Sequence, residues 1–137
     1  MAQPIDEQLK EAVAVLRAKG DAPIITGRLV KEALVASGRS GIPAISLIRE
    51  ACLGAMSGLF LADGDVPSGA VAVMRAVAEW SSDAGLDPMD AMTSAVEGMA
   101  AGLRGAPPAD LLAVSSRLEA TFSGSAETFN AACHRPN

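Results

Sequence analysis

The sequence predicts an all-α fold: a compact bundle of about six short antiparallel helices that contains a duplicated 44-residue helical hairpin. Glycine and proline recur together at regular intervals, which is typical of short helices joined by tight connections. No segment alternates strictly between apolar and polar residues, as a half-buried strand would. Half of the 137 residues are hydrophobic, which is sufficient for one core, so we expect a single domain.

The glycine–proline pairs mark the predicted helix boundaries, because glycine commonly follows a helix end and proline fits the first turn of the next helix. Asp21, Asp65 and Asp87 stand where an N-cap carboxylate would accept backbone N–H groups. The six predicted helices cover residues 4–19, 22–37, 43–63, 66–84, 87–104 and 108–133. Within the last range, Ser123-Gly124-Ser125 is the point at which the helix would weaken or break. Because the connections are short, we expect sequential helices to pack antiparallel.

The sequence of segment 20–63 is partly repeated in segment 64–107. Aligning the two segments gives ten identities in 44 positions, against about four expected from so biased a composition. In the first copy the identical residues are Gly20, Asp21, Pro23, Ser37, Gly41, Ala51, Gly54, Gly58, Leu59 and Ala62. They fall at caps and small-residue positions, where a structural repeat should retain them. We therefore divide the chain into an N-terminal helix (1–19), two hairpin repeats (20–63 and 64–107), and a C-terminal helix with a tail (108–137).

Small residues form one stripe on each of the helices predicted at 43–63 and 87–104. The candidate helix-crossing residues are Ala51, Gly54 and Gly58 in the first helix and Ala95, Gly98 and Gly102 in the second. A glycine in a helix interior costs about 1 kcal/mol relative to alanine, so close packing must compensate. Our hypothesis is that the two stripes face each other across a pseudo-twofold axis. Leucine at Gly58 or Gly102 would then loosen or unfold the protein.

The sequence contains a cluster of five methionines, Met56, Met74, Met89, Met92 and Met99, of which Met56, Met89, Met92 and Met99 are the candidate partner or ligand face. Methionine is flexible and polarizable and therefore suits adaptable binding surfaces, but at helical spacing it also serves as core filler. The sequence leaves both interpretations open.

No catalytic, cofactor-binding or metal-binding constellation is found in the sequence. The single histidine, His134, lies near the tail, and neither Cys-x-x-Cys spacing nor a phosphate-binding glycine loop occurs. Glu50 fits a rim or ion-paired carboxylate better than a catalytic acid, and Cys52 fits a small apolar core residue. We therefore expect a protein that is not an enzyme and that holds no cofactor or metal.

The net charge of −5 argues against a nucleic-acid partner, since neutralising phosphates requires clustered Lys and Arg. Residues 20–63 balance at zero charge, whereas residues 64–107 carry six acids against two bases. The longest apolar run lies between Glu50 and Asp63 and is too short for a transmembrane segment. The N-terminus lacks the pattern of a secretory signal, and two isolated cysteines do not form a disulfide framework, so we expect a cytoplasmic protein.

These observations favour a non-enzymatic helical interaction protein, such as an adaptor, an accessory subunit or a self-assembling bundle. It would act through apolar helix faces on a protein partner or on itself, as a homo-oligomer. The alternative is a protein that binds a small apolar ligand, or a lipid or granule surface, in a methionine-lined groove between helices. In general composition, the Ala/Gly-rich, aromatic-poor helical repeat resembles bacterial granule-coating helical proteins, without a diagnostic motif.

Overall fold

A computed structural model describes residues 4–16, 20–38 and 41–134. These residues form seven α-helices and no β-strand, so the predicted all-α class is confirmed. The helices are α1 (Ile5–Ala14), α2 (Ala22–Ser37), α3 (Ala44–Leu61), α4 (Val66–Ala84), α5 (Pro88–Gly102), α6 (Pro108–Thr121) and α7 (Ser125–Cys133). Residues 17–19 of the first predicted helix lie outside the described residues.

The prediction of one helix over residues 108–133 is wrong, because the chain turns between α6 and α7. Gly124 has φ 91°, in the left-handed region that favours glycine, and the right-handed helix cannot continue through it. The backbone N–H groups of Gly124 and Ala126 donate to the carboxylate of Glu119 in α6. This contact holds the start of α7 against the end of α6, and the described residues therefore contain seven helices rather than six.

Two of the three predicted N-caps form side-chain hydrogen bonds. Asp65 accepts from the backbone N–H of Ser68 at 3.1 Å, and Asp87 accepts from that of Met89 at 2.8 Å. Asp21 makes no such bond, and the prediction is wrong at this position. Its φ and ψ of −95° and 5° depart from the extended conformation typical of N-cap residues.

The helices pack in two rows. The odd row contains α1, α3, α5 and α7, the even row contains α2, α4 and α6, and the most extensive packing joins alternate helices within a row. The neighbours α3 and α5 run in the same direction. Ser94 near the start of α5 donates to the carbonyl of Ile45 at 2.7 Å, and Ser57 near the end of α3 donates to that of Gly102 at 3.1 Å. Helices α3 and α5 are separated in the chain by α4, so their parallel direction does not bear on the prediction that sequential helices pack antiparallel.

The glycines of α3 pack on α1. A Cβ atom added at Gly58 would lie 2.5 Å from the carbonyl oxygen of Lys10 and 2.9 Å from the Cβ of Val13. One added at Gly54 would collide with the backbone of Asp6. The absence of a side chain at these two positions therefore allows α1 and α3 to approach closely.

The glycines of α5 pack on α3, so the hypothesis that the two small-residue stripes face each other is wrong. Cβ atoms added at Gly98 and Gly102 would collide with the backbones of Arg49 and Leu53, respectively. Ala51 and Ala95, on the same two helices, are fully buried. Each glycine stripe contacts the preceding helix of the odd row. The two crossings are consequently related by a translation along the row and not by a twofold axis.

Helix α3 is the most apolar element. By length and composition it qualifies as a candidate membrane span over Ala44–Leu61, with a mean hydropathy of 1.5. The uninterrupted apolar run within this helix is shorter, because Arg49 and Glu50 lie at its N-terminal side. Half of the helix is buried inside the protein, and the core helix of a soluble protein passes the same test, so this property is weak support for a span.

Candidate binding groove

The four methionines of the candidate partner or ligand face separate into two environments. Met56 and Met99 are fully buried in the core. Met89 is 63% exposed, and Met92 is partly buried at the surface. Met89, Met92 and Met99 therefore lie on one face of α5, but this face is exposed at the start of the helix and buried in the core towards its end.

Met89 and Met92 lie at a surface groove between α4 and the first turns of α5, which we call the α4–α5 groove. Its volume is about 430 Å³, which lies within the range of small-molecule and side-chain binding sites. Twelve residues line it: Met74, Val77, Ala78, Ser81, Ser82, Gly85, Leu86, Pro88, Met89, Ala91, Met92 and Phe122.

The connection from α4 to α5 forms one end of the α4–α5 groove. Gly85 ends α4 in the left-handed conformation, with φ 73°, and the N–H of Leu86 returns to the carbonyl of Ser81 at 2.9 Å. Asp87 then caps α5, and Pro88 occupies its first turn. Local hydrogen bonds thus fix the connection on both sides, and this end of the groove is preformed.

The turn between α6 and α7 also contributes to the groove, through Phe122, which is partly buried. Next to Phe122 in the chain, the start of α7 is held by its contact with Glu119. Hydrogen bonds from the N–H groups of Gly124 and Ala126 hold the pKa of Glu119 below its usual value. The carboxylate is therefore the favoured form, and its negative charge lies at the N-terminus of α7, where the helix dipole stabilises it.

The groove surface is mainly apolar. Its polar side chains belong to Ser81 and Ser82, and the Ser81 hydroxyl donates to the carbonyl of Ala78 in the same helix at 3.1 Å. Burying the groove under an apolar partner therefore leaves the Ser81 hydroxyl hydrogen-bonded, which lowers the desolvation cost of binding.

The charged residues that adjoin the lining of the α4–α5 groove at the start of α5 are acidic. None of the lining side chains carries a charge, and the chain contains no Lys or Arg between Arg75 and Arg104. The acids in that interval are Glu79, Asp83, Asp87, Asp90 and Glu97, of which Glu79 and Asp83 lie on the side of α4 that faces α2 and away from the groove. Asp87 and Asp90 adjoin lining residues directly, and both are exposed. The mouth of the groove therefore favours a cationic surface over an anionic one.

The other chemistry-bearing residues considered in the sequence lie apart from the groove. Cys52 is fully buried in α3, and desolvation raises the pKa of its thiol. Glu50 is partly exposed, 3.7 Å from Arg49, and the ring of His134 contacts the carbonyl of Asn130 at 2.7 Å. Within residues 4–16, 20–38 and 41–134, no group of three or more His, Cys, Asp or Glu side chains is positioned to hold a metal ion.

Of the twelve lining residues, the sequence singled out only the methionines, Met74, Met89 and Met92, and not the other nine, which include Leu86 and Phe122. Phe122 lies in the range 108–133, which was predicted as one helix, although the adjoining Ser123-Gly124-Ser125 already indicated a break. The glycine was the available signal, because a turn at that point moves Phe122 out of helical register.

Comparison with known proteins gives no match: no protein-family model, no curated protein and no solved structure is significantly similar to the chain.

Proposed function

We propose that the protein is a non-enzymatic interaction module whose α4–α5 groove receives apolar side chains of a protein partner. The observation that carries this proposal is the apolar groove of about 430 Å³ between preformed helix ends. Its largest exposed side chain is Met89, which is 63% exposed. Together, the apolar groove and the exposed Met89 beside it provide a surface that apolar side chains of a partner can cover.

Methionine explains how the groove could accommodate a partner. Met74, Met89 and Met92 line it, and unbranched thioether side chains adapt to differently shaped apolar groups at low strain. The flanking backbone is held by the Asp87 cap and the Gly85 turn. A rigid frame with adaptable side chains suits the binding of apolar groups of varied shape.

We also infer that the groove arose within a duplicated hairpin, 20–63 and 64–107. The corresponding helices α2 and α4 pack side by side, as do α3 and α5. Stacking of equivalent units is the usual way in which helical repeats bury their faces. The second unit is the acidic one, so the duplication would have diverged in charge while retaining its caps and glycines.

Binding of Nile red, a neutral dye that fluoresces in apolar environments, tests the groove. We expect the wild-type protein to bind the dye and Ala78→Trp to lose binding, because Ala78 is exposed and lines the groove. Ala131→Trp, at an exposed position on α7, is the matched control and should bind normally. Equal dye binding by all three proteins would overturn the assignment of the groove.

A small apolar ligand is the second candidate, favoured by the groove volume. A fluorescent fatty acid distinguishes the two functions. The acidic mouth near Asp87 and Asp90 should repel its carboxylate, so the interaction function predicts weaker binding of the fatty acid than of Nile red. A monomeric protein that binds the fatty acid as tightly as Nile red would instead support the small-ligand function.

A further inference from the structure

A second surface, on α2, complements the α4–α5 groove in charge. Ile24, Arg28, Lys31 and Val35 fall within about 60° of one another around the helix, given 100° per residue. We call these four residues the α2 stripe. Ile24 is 66% exposed and Val35 is 60% exposed, so the stripe presents an apolar side chain at each end and two cationic side chains between them.

The cations of the α2 stripe remain accessible. Arg28 is exposed, and in the described part of the chain no carboxylate lies within salt-bridge distance of it. Lys31 pairs with Glu79 of α4 at 2.8 Å, yet its side chain is 41% exposed. A neighbouring acidic surface could therefore pair with Arg28 directly and share Lys31.

The α2 stripe and the α4–α5 groove also match in length. Ile24 and Val35 are eleven positions apart, as are Met74 and Gly85 at the two ends of the α4 wall of the groove. At 1.5 Å per residue, each surface is about 16 Å long. The stripe thus has apolar ends with cations between them, and the groove is apolar, of similar length, and has Asp87 and Asp90 beside the end at which Gly85 lies.

One molecule cannot join its own stripe to its own groove. On α4, the residues that face α2 include Ala72 and Glu79, whereas Met74 and Ser81 line the groove. At 100° per residue these two sets lie on opposite sides of α4. The contact must therefore join two molecules.

We propose that the α4–α5 groove binds the α2 stripe of a second copy of this chain. This inference rests on the proposed function, since it identifies the occupant of the same groove. Each copy would offer one groove and one stripe, so the interface is heterologous and extends into a ring or a filament. Complementary charge sets the orientation, and burial of Ile24 and Val35 provides apolar contact.

Sedimentation velocity over a series of protein concentrations tests the proposal. The wild-type protein should associate with increasing concentration, and association should weaken as salt screens the charges. Ile24→Glu should abolish association, and Arg28→Glu should weaken it about tenfold or more. Leu112→Glu is the matched control, because Leu112 is 67% exposed on α6, nearly as much as Ile24; it should associate like the wild type.

Mixing two variants tests whether the contact is heterologous. Ala78→Trp has a blocked groove and an intact stripe, whereas Ile24→Glu has an intact groove and a disrupted stripe. Each alone should be monomeric, and together they should form a 1:1 heterodimer and nothing larger. Each variant must retain the wild-type circular dichroism spectrum and melting temperature, and Ser82→Trp, at another exposed lining position, replaces Ala78→Trp if that variant does not fold.

The outcomes separate this inference from the proposed function. A wild-type protein that stays monomeric at all concentrations, yet binds Nile red in the groove, overturns self-association and leaves the interaction function standing. Loss of association in Leu112→Glu equal to that in Ile24→Glu overturns the inference as well, because general surface hydrophobicity would then be the cause. Failure of Nile red to respond to Ala78→Trp overturns the proposed function itself.

Discussion

Replacing Gly98 with alanine tests the close crossing of α5 on α3. In an isolated helix this substitution stabilises by about 1 kcal/mol, because alanine restricts the unfolded backbone and favours the helix. Here the new Cβ would collide with the backbone of Arg49. A backbone neighbour cannot rotate away as a side-chain end can, so the two helices must separate along the crossing.

The magnitude follows from two opposing terms. Overpacking of a close-packed interior costs about 1–3 kcal/mol, and separation of the helices adds lost dispersion contacts. After subtraction of the gain in helix propensity, we expect Gly98→Ala to lower the free energy of unfolding by about 1–2 kcal/mol. For a chain of this length, the melting temperature should fall by about 3–10 °C.

Thermal and urea unfolding, followed by circular dichroism, measure this effect. Gly20→Ala is the control, because no heavy atom of the described residues lies within 4 Å of a Cβ atom added at Gly20. It should leave the melting temperature unchanged or raise it. A Gly98→Ala protein that melts at or above the wild-type temperature would show that α3 and α5 do not approach as closely as described.

Three further substitutions or reactions give independent checks. Asp87→Ala should cost about 1 kcal/mol in urea unfolding because it removes an N-cap bond, whereas Asp21→Ala should cost nothing measurable; equal losses would contradict the capping geometry. The folded pKa of Glu119 is lowered, so its contribution to stability is complete above the unfolded pKa and is lost as the pH falls through the folded one. Glu119→Gln should remove this acid-dependent part of the melting temperature, and an unchanged pH profile would refute the contact. In the native protein, Ellman's reagent should modify Cys133 and leave Cys52 unreacted until denaturant is added, because Cys52 is fully buried; two rapidly reacting thiols would contradict this burial.

Local signals in the sequence predicted the helices well, for identifiable physical reasons. The predicted ranges 22–37 and 66–84 coincide with α2 and α4. Glycine and proline restrict φ at single positions, and their effect does not depend on distant residues. The same local chemistry at Gly124 explains the break between α6 and α7, which the sequence analysis noted as a weak point.

The packing partners were not predictable from the same signals. Periodicity assigned Gly54 and Gly98 to small faces, but a face does not specify which helix covers it. We expected a pseudo-twofold crossing because the two stripes have the same small residues at the same spacing. The structure gives another reason for this similarity: each stripe allows its helix to approach a different neighbour closely, α1 for α3 and α3 for α5. The groove was missed for a similar reason. Its lining includes Phe122, which comes from a distant turn, and single-helix periodicity carries no information on such an arrangement.

Where a glycine allows two helices to cross closely, the amino-acid sequence is restricted on one helix more than on the other. At Gly54 and Gly98 one helix must lack a side chain, whereas the nearest atoms of the other helix belong to the main chain of Asp6 and of Arg49. Every residue has the same main chain, so the second set of positions is free to change identity without altering the fit. Among proteins that descend from the same ancestor, the glycines should persist while the residues opposite them vary freely.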